Sequence, residues 1–202
     1  MMDLSKSGIM EGISEVIATT KSGAEGYNAA PIGVIREGEA TYSRIYPNTH
    51  TYANISSNGT MIANLTKDPE LFVLAAFGDL SPDYYANFHG YPAIKDAEAW
   101  VLFSCRIIKN PDPSHYINYS EVSLEPISSK VNNRELRAIN RALNGVIEAT
   151  IHATRYLITG DKKLKESIDY YDKLVSTCGG PDEKRAMELL YQFLDEKNRL
   201  KL

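Results

Sequence analysis

The run from Ile13 to Tyr46, ISEVIATT-KSGAEG-YNAAPIGVIR-EGE-ATYSRIY, decides the fold. Ile13 to Thr20 is rich in β-branched residues, and Lys21 to Gly26 is a turn with two glycines. Tyr27 to Arg36 reads as a second strand carrying Pro31, and Glu37-Gly38-Glu39 as a tight turn. Ala40 to Tyr46 alternates into a third strand. Connections this short cannot make parallel crossovers, so the three strands form an antiparallel meander.

The chain then changes register. Thr49 to Ser57 predicts a short helix, stopped by Asn58-Gly59, and Thr60 to Leu65 a fourth strand. Thr49 and Thr51 place two hydroxyls where that helix begins, with Arg44 just upstream and His50 between them. A helix start offers unpaired N–H groups and the positive end of a dipole, so this is a seat for a phosphate. Asn28-Ala29-Ala30-Pro31-Ile32-Gly33-Val34 is unusual for a strand: two alanines and a glycine keep its surface low, and Pro31 removes a ladder donor. Two readings stand for it, a bed for a flat ligand or an edge strand blunted by proline.

Asp68-Pro69-Glu70 is a helix start, continued by Leu71, Leu74, Ala75 and Phe77. Ser81-Pro82-Asp83 repeats the signal before Tyr84 to Phe88, so residues 78–97 are expected to form an insertion or lid with Tyr84, Tyr85, Phe88 and Tyr91. Ala97 to Ile108 is the longest strand candidate, with Val101, Phe103, Cys105 and Ile107 on one face. Tyr116 to Leu124 pairs back as the last strand. Some six strands suggest a small barrel. After Pro126 three helices follow: 132–159, one from Asp161, and one restarted by Cys178-Gly179-Gly180-Pro181. The expected division is a barrel domain at 1–126, with a helical insertion at about 68–97, and a helical segment at 127–202.

The long helix carries two stripes. Ile139, Leu143, Val146, Ile147, Thr150, Thr154 and Leu157 are expected to form its apolar side. Arg137, Arg141, Asn144, Glu148, His152 and Arg155 share a polar face. That face is either a solvated surface, with ion pairs worth about a few tenths of a kcal/mol each, or a strip facing a ligand or a dimer partner.

The net charge of −4 argues against nucleic acid as the main partner. Cys105 and Cys178 have no zinc or redox spacing, and His50, His89, His115 and His152 have no ligand spacing, so no metal is expected. The G-x-S-x-G, G-x-G-x-x-G and P-loop patterns are absent. There is no signal peptide and no apolar run of about 18 residues, so the expectation is a cytoplasmic chain without a membrane span.

Glu15 to Thr20 followed by Asn28 to Val34, then Thr49-x-Thr51-Tyr52-x-Asn54, then Asn64-Leu65-Thr66-x-Asp68-Pro69-x-Leu71-Phe72, stand in a telling order. With Asn140-Arg141-Ala142, Ile147-Glu148-Ala149 and Ala153-Thr154-Arg155 further on, the chain resembles an uncharacterised archaeal family of FMN-binding split-barrel proteins, domain of unknown function 447, related to flavin reductases. The resemblance covers most of the chain. It implies a mainly β fold with α, a split barrel followed by C-terminal helices, and a homodimer with FMN near the interface. It places the isoalloxazine along Asn28, Ala29, Ala30, Pro31, Ile32 and Gly33 and the phosphate near Thr49 and Thr51, with Asn64 on the phosphate or ribityl chain. Charge and position add Arg44, His50 and the strip of Arg141, Glu148, His152 and Arg155. The expected activity is an FMN-dependent oxidoreductase, with NADH or NADPH as a transient donor. The alternatives are a flavin carrier or sensor without turnover, and a cofactor-free dimeric interaction module.

Overall fold

The structure is a computed structural model that describes residues 2–23, 26–110, 119–133 and 141–199. Its strands are Gly12–Ser22 (β1), Gly26–Glu37 (β2), Ala40–Ile45 (β3), Thr60–Leu65 (β4), Tyr85–Phe88 (β5), Tyr91–Ile94 (β6), Ala99–Lys109 (β7) and Ser120–Val131 (β8). Its α-helices are His50–Asn58 (α1), Pro69–Phe77 (α2), Arg141–Thr159 (α3), Lys162–Cys178 (α4) and Pro181–Arg199 (α5). They fall into two compact units, residues 1–66 with 79–134 and residues 67–78 with 135–202.

The first unit is a closed six-stranded antiparallel barrel in the order β1-β2-β3-β8-β7-β4, the split-barrel class expected from the sequence. It is not a continuous meander. After β3 the chain passes through α1 to the far side of β1, where β4 pairs, and β3 pairs with β8 instead. Val16, Ala18, Val34, Ile45, Met61, Ala63, Val101, Phe103, Val122 and Leu124 fill the interior. Ile55 and Tyr52 of α1 join them, so α1 packs its apolar side against the barrel's core. Asn54 Nδ2 donates to Thr20 Oγ1 at 2.9 Å, adding a polar tie to β1.

Residues 85–94 form a hairpin rather than the expected helix. Ser81-Pro82-Asp83 starts only a single turn at Pro82–Tyr84. His89 and Gly90, at φ 54° and 86°, then reverse the chain between β5 and β6. The hairpin clasps the outer side of β1 and β4. Thr19 Oγ1 donates to the Pro92 carbonyl, Ile94 N–H to Asn64 Oδ1 at 2.7 Å, and Trp100 Nε1 to the Ile94 carbonyl at 2.7 Å.

β8 runs past Pro126. Phe103 pairs with Pro126 but Leu102 with Ser128, which leaves Ile127 as an extra residue in a bulge. A bulge is where a sheet tolerates proline. The barrel therefore extends to Val131, beyond the boundary expected at 126.

The second unit gathers α2 with α3, α4 and α5. Val73 of α2 shares a core with Ala142, Val146, Ala149, Ala153, Ile168, Val175, Ala186, Met187, Leu190 and Leu194. Arg185 Nε donates to Glu70 Oε1 at 2.8 Å. The expected insertion at 68–97 is thus divided: α2 belongs with the C-terminal helices and the hairpin with the barrel. α3 is also rotated from its expected setting. It buries Ala142, Gly145, Val146, Ala149, Thr150 and Ala153. A Cβ on Gly145 would lie 3.3 Å from Leu174 and Val175, so α4 packs closely there and small residues face it. Arg137 and Ile139 lie outside the described residues. No described helix is long and apolar enough to cross a membrane.

Candidate functional site: the open edge of β2

β2 has two halves. Val34 to Arg36 pair with β3 as well as β1, whereas residues 26–33 pair with β1 alone. Two hydrogen bonds fix which way each peptide on that single-sided half points. Ser43 Oγ donates to the Gly33 carbonyl at 2.9 Å, so Gly33 faces β3. Asn64 Nδ2 donates to the Ile17 carbonyl at 2.8 Å, so Ile17 faces β4, and its partner Pro31 faces away from β1. The alternation of an antiparallel ladder then turns Ala29, Pro31 and Gly33 to the open edge. That edge offers the N–H groups of Ala29 and Gly33 and the carbonyls of Ala29 and Pro31. Pro31 is an acceptor only, and it occupies the kind of edge position that a proline can fill without losing a ladder bond.

The side chains of Ala29, Pro31 and Gly33 share the outer face of β2 and keep it low. A Cβ on Gly33 would stand 3.0 Å from Ile13 Cγ2 and 3.5 Å from Glu15 Oε1, so the exposed Ile13 side chain would have to give way. Ala30 and Ile32 lie on the opposite face, and Ile32 packs against the barrel core.

The edge is tied to the start of α1. Asn28 Nδ2 donates to Thr51 Oγ1 at 3.0 Å. Thr49 is the N-cap: its Oγ1 accepts from Tyr52 N–H at 3.2 Å and donates to the Tyr46 carbonyl at 2.8 Å. The cap therefore consumes the Thr49 hydroxyl. Thr51 is 2% exposed and acts beneath the helix start. Exposed groups at this end are His50 and Arg44, the latter with its guanidinium 5.1 Å from the Tyr119 ring centre.

Asn64 does not join this group. It is fully buried, and its Nδ2 donates to Ile17 O, Thr19 Oγ1 and Ile62 O at 2.8, 3.0 and 3.3 Å while its Oδ1 accepts from Ile94. Both ends of the amide are spent on holding β4 to β1 and β6. Tyr85 and Phe88 of the 78–97 segment are likewise occupied in packing, while Tyr84 is exposed. Phe88 lies 5.4 Å from Trp100, and Tyr85 meets Tyr27 edge-on at 5.1 Å. Burial, with the nearby Asp79 charge, pushes the Tyr85 hydroxyl up to about 12. In the helical unit, Arg141 Nη2 contacts Cys178 Sγ at 3.0 Å and His152 stacks on Tyr171 at 5.8 Å. Glu148 and Arg155 are exposed. The sequence names this stretch as a ligand bed or an edge strand but leaves open which of its residues face the free edge. The signal for that is parity: Ala29, Pro31 and Gly33 are alternate residues.

Two family models match in sequence. Residues 14–133 match the N-terminal domain of a protein of unknown function, DUF447, and residues 140–192 match a second DUF447 model. The FMN-bound protein MM1853 of Methanosarcina mazei, also DUF447, is 42% identical over 95% of this chain and 100% of its own, with a TM-score of 0.87. The chain belongs to the DUF447 family. More remote likenesses include an FMN-binding protein of Thermus thermophilus with bound p-hydroxybenzaldehyde, 11% identical over 62% of this chain and 75% of its own at a TM-score of 0.46. The styrene monooxygenase flavin reductase of Pseudomonas putida S12 is 8% identical over 59% of this chain and 82% of its own, at 0.48. Both are too distant to bear on the site.

Proposed function

We propose that this DUF447 protein binds FMN along the open edge of β2 and serves as a flavin-dependent oxidoreductase. The observation that carries the reading is the edge itself, a strand half with one neighbour, short side chains and free peptide groups beside a capped helix start. Its chemistry fits the polar edge of a flavin, where two carbonyls flank an N–H. The Gly33 N–H would serve one carbonyl, and the adjacent Pro31 carbonyl would accept from the N–H without a competing donor. The start of α1, with His50 and Arg44 exposed nearby, suits the phosphate. The FMN seen in the Methanosarcina mazei relative supports the same ligand here.

A bound flavin supplies hydride acceptance and electron transfer; the chain orients it, donates to its polar edge and shields one side from water. Asn28 and Thr51 act as positioning residues, holding the helix start against the strand edge.

An absorbance spectrum of the purified protein and a titration with FMN test this. A flavin spectrum, or saturable binding of added FMN, is expected; a colourless protein that ignores FMN overturns the reading. Steady oxidation of NADH or NADPH with an acceptor marks the enzyme. Tight flavin binding with no turnover by either donor marks a carrier instead.

A further inference from the structure

α4 and α5 are joined by Gly179 and Gly180 alone, and Tyr191 Oη donates to Asp169 Oδ1 at 3.0 Å. The two helices therefore lie side by side and antiparallel. They do not close on each other throughout: a crevice of about 260 Å³ opens between them. Its floor is apolar, formed by Val175 and Met187, which are 1% and 2% exposed. Its rim is polar and has a direction. Nearest the link stand Ser176 of α4 and Lys184 of α5, and a turn further from it Asp172 of α4 and Glu188 of α5. Tyr191 lines the far end.

The charges on that rim are unmatched. None of Lys184, Asp172 and Glu188 makes an ion pair among the described residues. Lys184 precedes Glu188 by four residues, the weaker order for a pair on one helix. The charges just beyond the crevice are matched. Asp169 accepts from Lys165 Nζ at 2.5 Å as well as from Tyr191, and Lys165 Nζ lies 4.7 Å from the Tyr191 ring centre. The crevice thus keeps a cation at one end, two carboxylates at the other and hydrocarbon between. Its complement is a molecule of the reverse polarity with an alkyl body. Lys184 and Glu188 stand about 6 Å apart along the helix. An α-amino acid, with both charges on one carbon, is too short to serve both ends.

We propose that the crevice between α4 and α5 binds a small zwitterion whose ammonium and carboxylate are separated by a short alkyl chain. Lys184 takes the carboxylate, with the Ser176 hydroxyl as a second donor. Asp172 and Glu188 take the ammonium from two sides, and Val175 and Met187 cover the alkyl chain. The site uses no residue of the β2 edge and does not rest on the flavin reading.

Titration of the full chain with ε-aminocaproate, followed by amide NMR, tests it. Saturable shifts confined to α4 and α5 are expected, with a dissociation constant of about 1 mM or below. Caproate, which lacks the ammonium, and hexylamine, which lacks the carboxylate, should each bind at least tenfold more weakly. Lys184→Met and Glu188→Gln lie at exposed positions, and circular dichroism checks that helicity is kept. Each should weaken ε-aminocaproate at least tenfold, while Lys184→Met leaves the weak binding of hexylamine unchanged. No saturable shift up to about 10 mM, shifts centred elsewhere in the chain, hexylamine or caproate binding as tightly as the zwitterion, or variants without effect would each overturn the proposal.

Discussion

The two flanks of β1 carry the same kinds of residue to opposite ends. On the β4 side, Thr19 and Asn64 are buried under the β5–β6 hairpin, and the Asn64 amide is bonded at both ends. On the β2 side, Asn28 is half-buried, spends its amide on one helix hydroxyl and sits beside a strand half with a free edge. An asparagine near a strand end therefore says little about ligands until its neighbours are counted. The first flank is built for stability and the second for access.

The sharpest way to break that contrast is Asn64→Ala. It leaves the Ile94 N–H buried without its acceptor and removes the tie to the Ile17 carbonyl. The expected cost is about 3 kcal/mol of stability, read as a lower melting temperature or urea midpoint. FMN affinity of the protein that remains folded should not change. A large loss of affinity with stability intact would return Asn64 to the ligand site.

The hairpin side should also show itself in alkali. Burial raises the Tyr85 hydroxyl from its ordinary value of 10 to about 12. The unfolded chain then loses this proton first. The contribution is full below pH 10 and is lost as pH rises from 10 towards 12. Discounted for partial screening, the loss is about 2 kcal/mol. Tyr85→Phe should flatten that part of the pH–stability curve, measured by urea unfolding between pH 9 and 12 with values on the order of those pKa limits. An unchanged slope would mean the hydroxyl reaches water. Cys105, inside the barrel and also pushed up to about 12 by burial, contributes in the same direction from its lower ordinary value, so Cys105→Ala is the companion control.

How much of this was legible beforehand depends on how local each signal is. β1 to β4 and the starts of α1 and α2 follow from alternation, glycine turns and the Thr49 and Asp68 caps, which are properties of adjacent residues. The hairpin was not legible because Ser81-Pro82-Asp83 is a true start signal for one turn only, and the reversal rests on His89 at positive φ, an uncommon turn residue. The end of β8 was hidden by Pro126, which a bulge accommodates. The setting of α3 was misjudged because large apolar residues usually mark the buried face, whereas here close approach to α4 selects Gly145 and its alanine neighbours. At the site, Ala29, Ala30 and Gly33 are legible by their shortness and Pro31 by its missing donor, but the open edge depends on where β3 departs, a fact of tertiary pairing.

The access side is tested by Gly33→Val. The added side chain rises from the outer face where Ala29 and Pro31 keep the surface low, and it crowds Ile13. FMN affinity should fall at least tenfold, about 1.4 kcal/mol, followed by fluorescence titration. The neighbouring change Ala30→Ser, on the opposite face, should leave affinity within a factor of about three. Equal losses at both positions would mean that the whole barrel, and not the edge, had been disturbed.

The smallest effect separates cap from ligand at the helix start. The Thr49 hydroxyl both accepts from Tyr52 N–H and donates to the Tyr46 carbonyl, so its chemistry is complete within the chain. Thr49→Ala should cost about 1 kcal/mol of stability and change FMN affinity only through fraying of α1, while Thr49→Ser restores both. Thr51 differs, because its Oγ1 takes the Asn28 amide that joins helix to strand edge. Thr51→Val cuts that tie and should weaken FMN more than Thr49→Ala does at matched stability, with Asn28→Ala adding little on top. If Thr49→Ala proves the more damaging for affinity, the hydroxyl must leave the cap when ligand binds, and the phosphate is held by side chains rather than by the start of the helix.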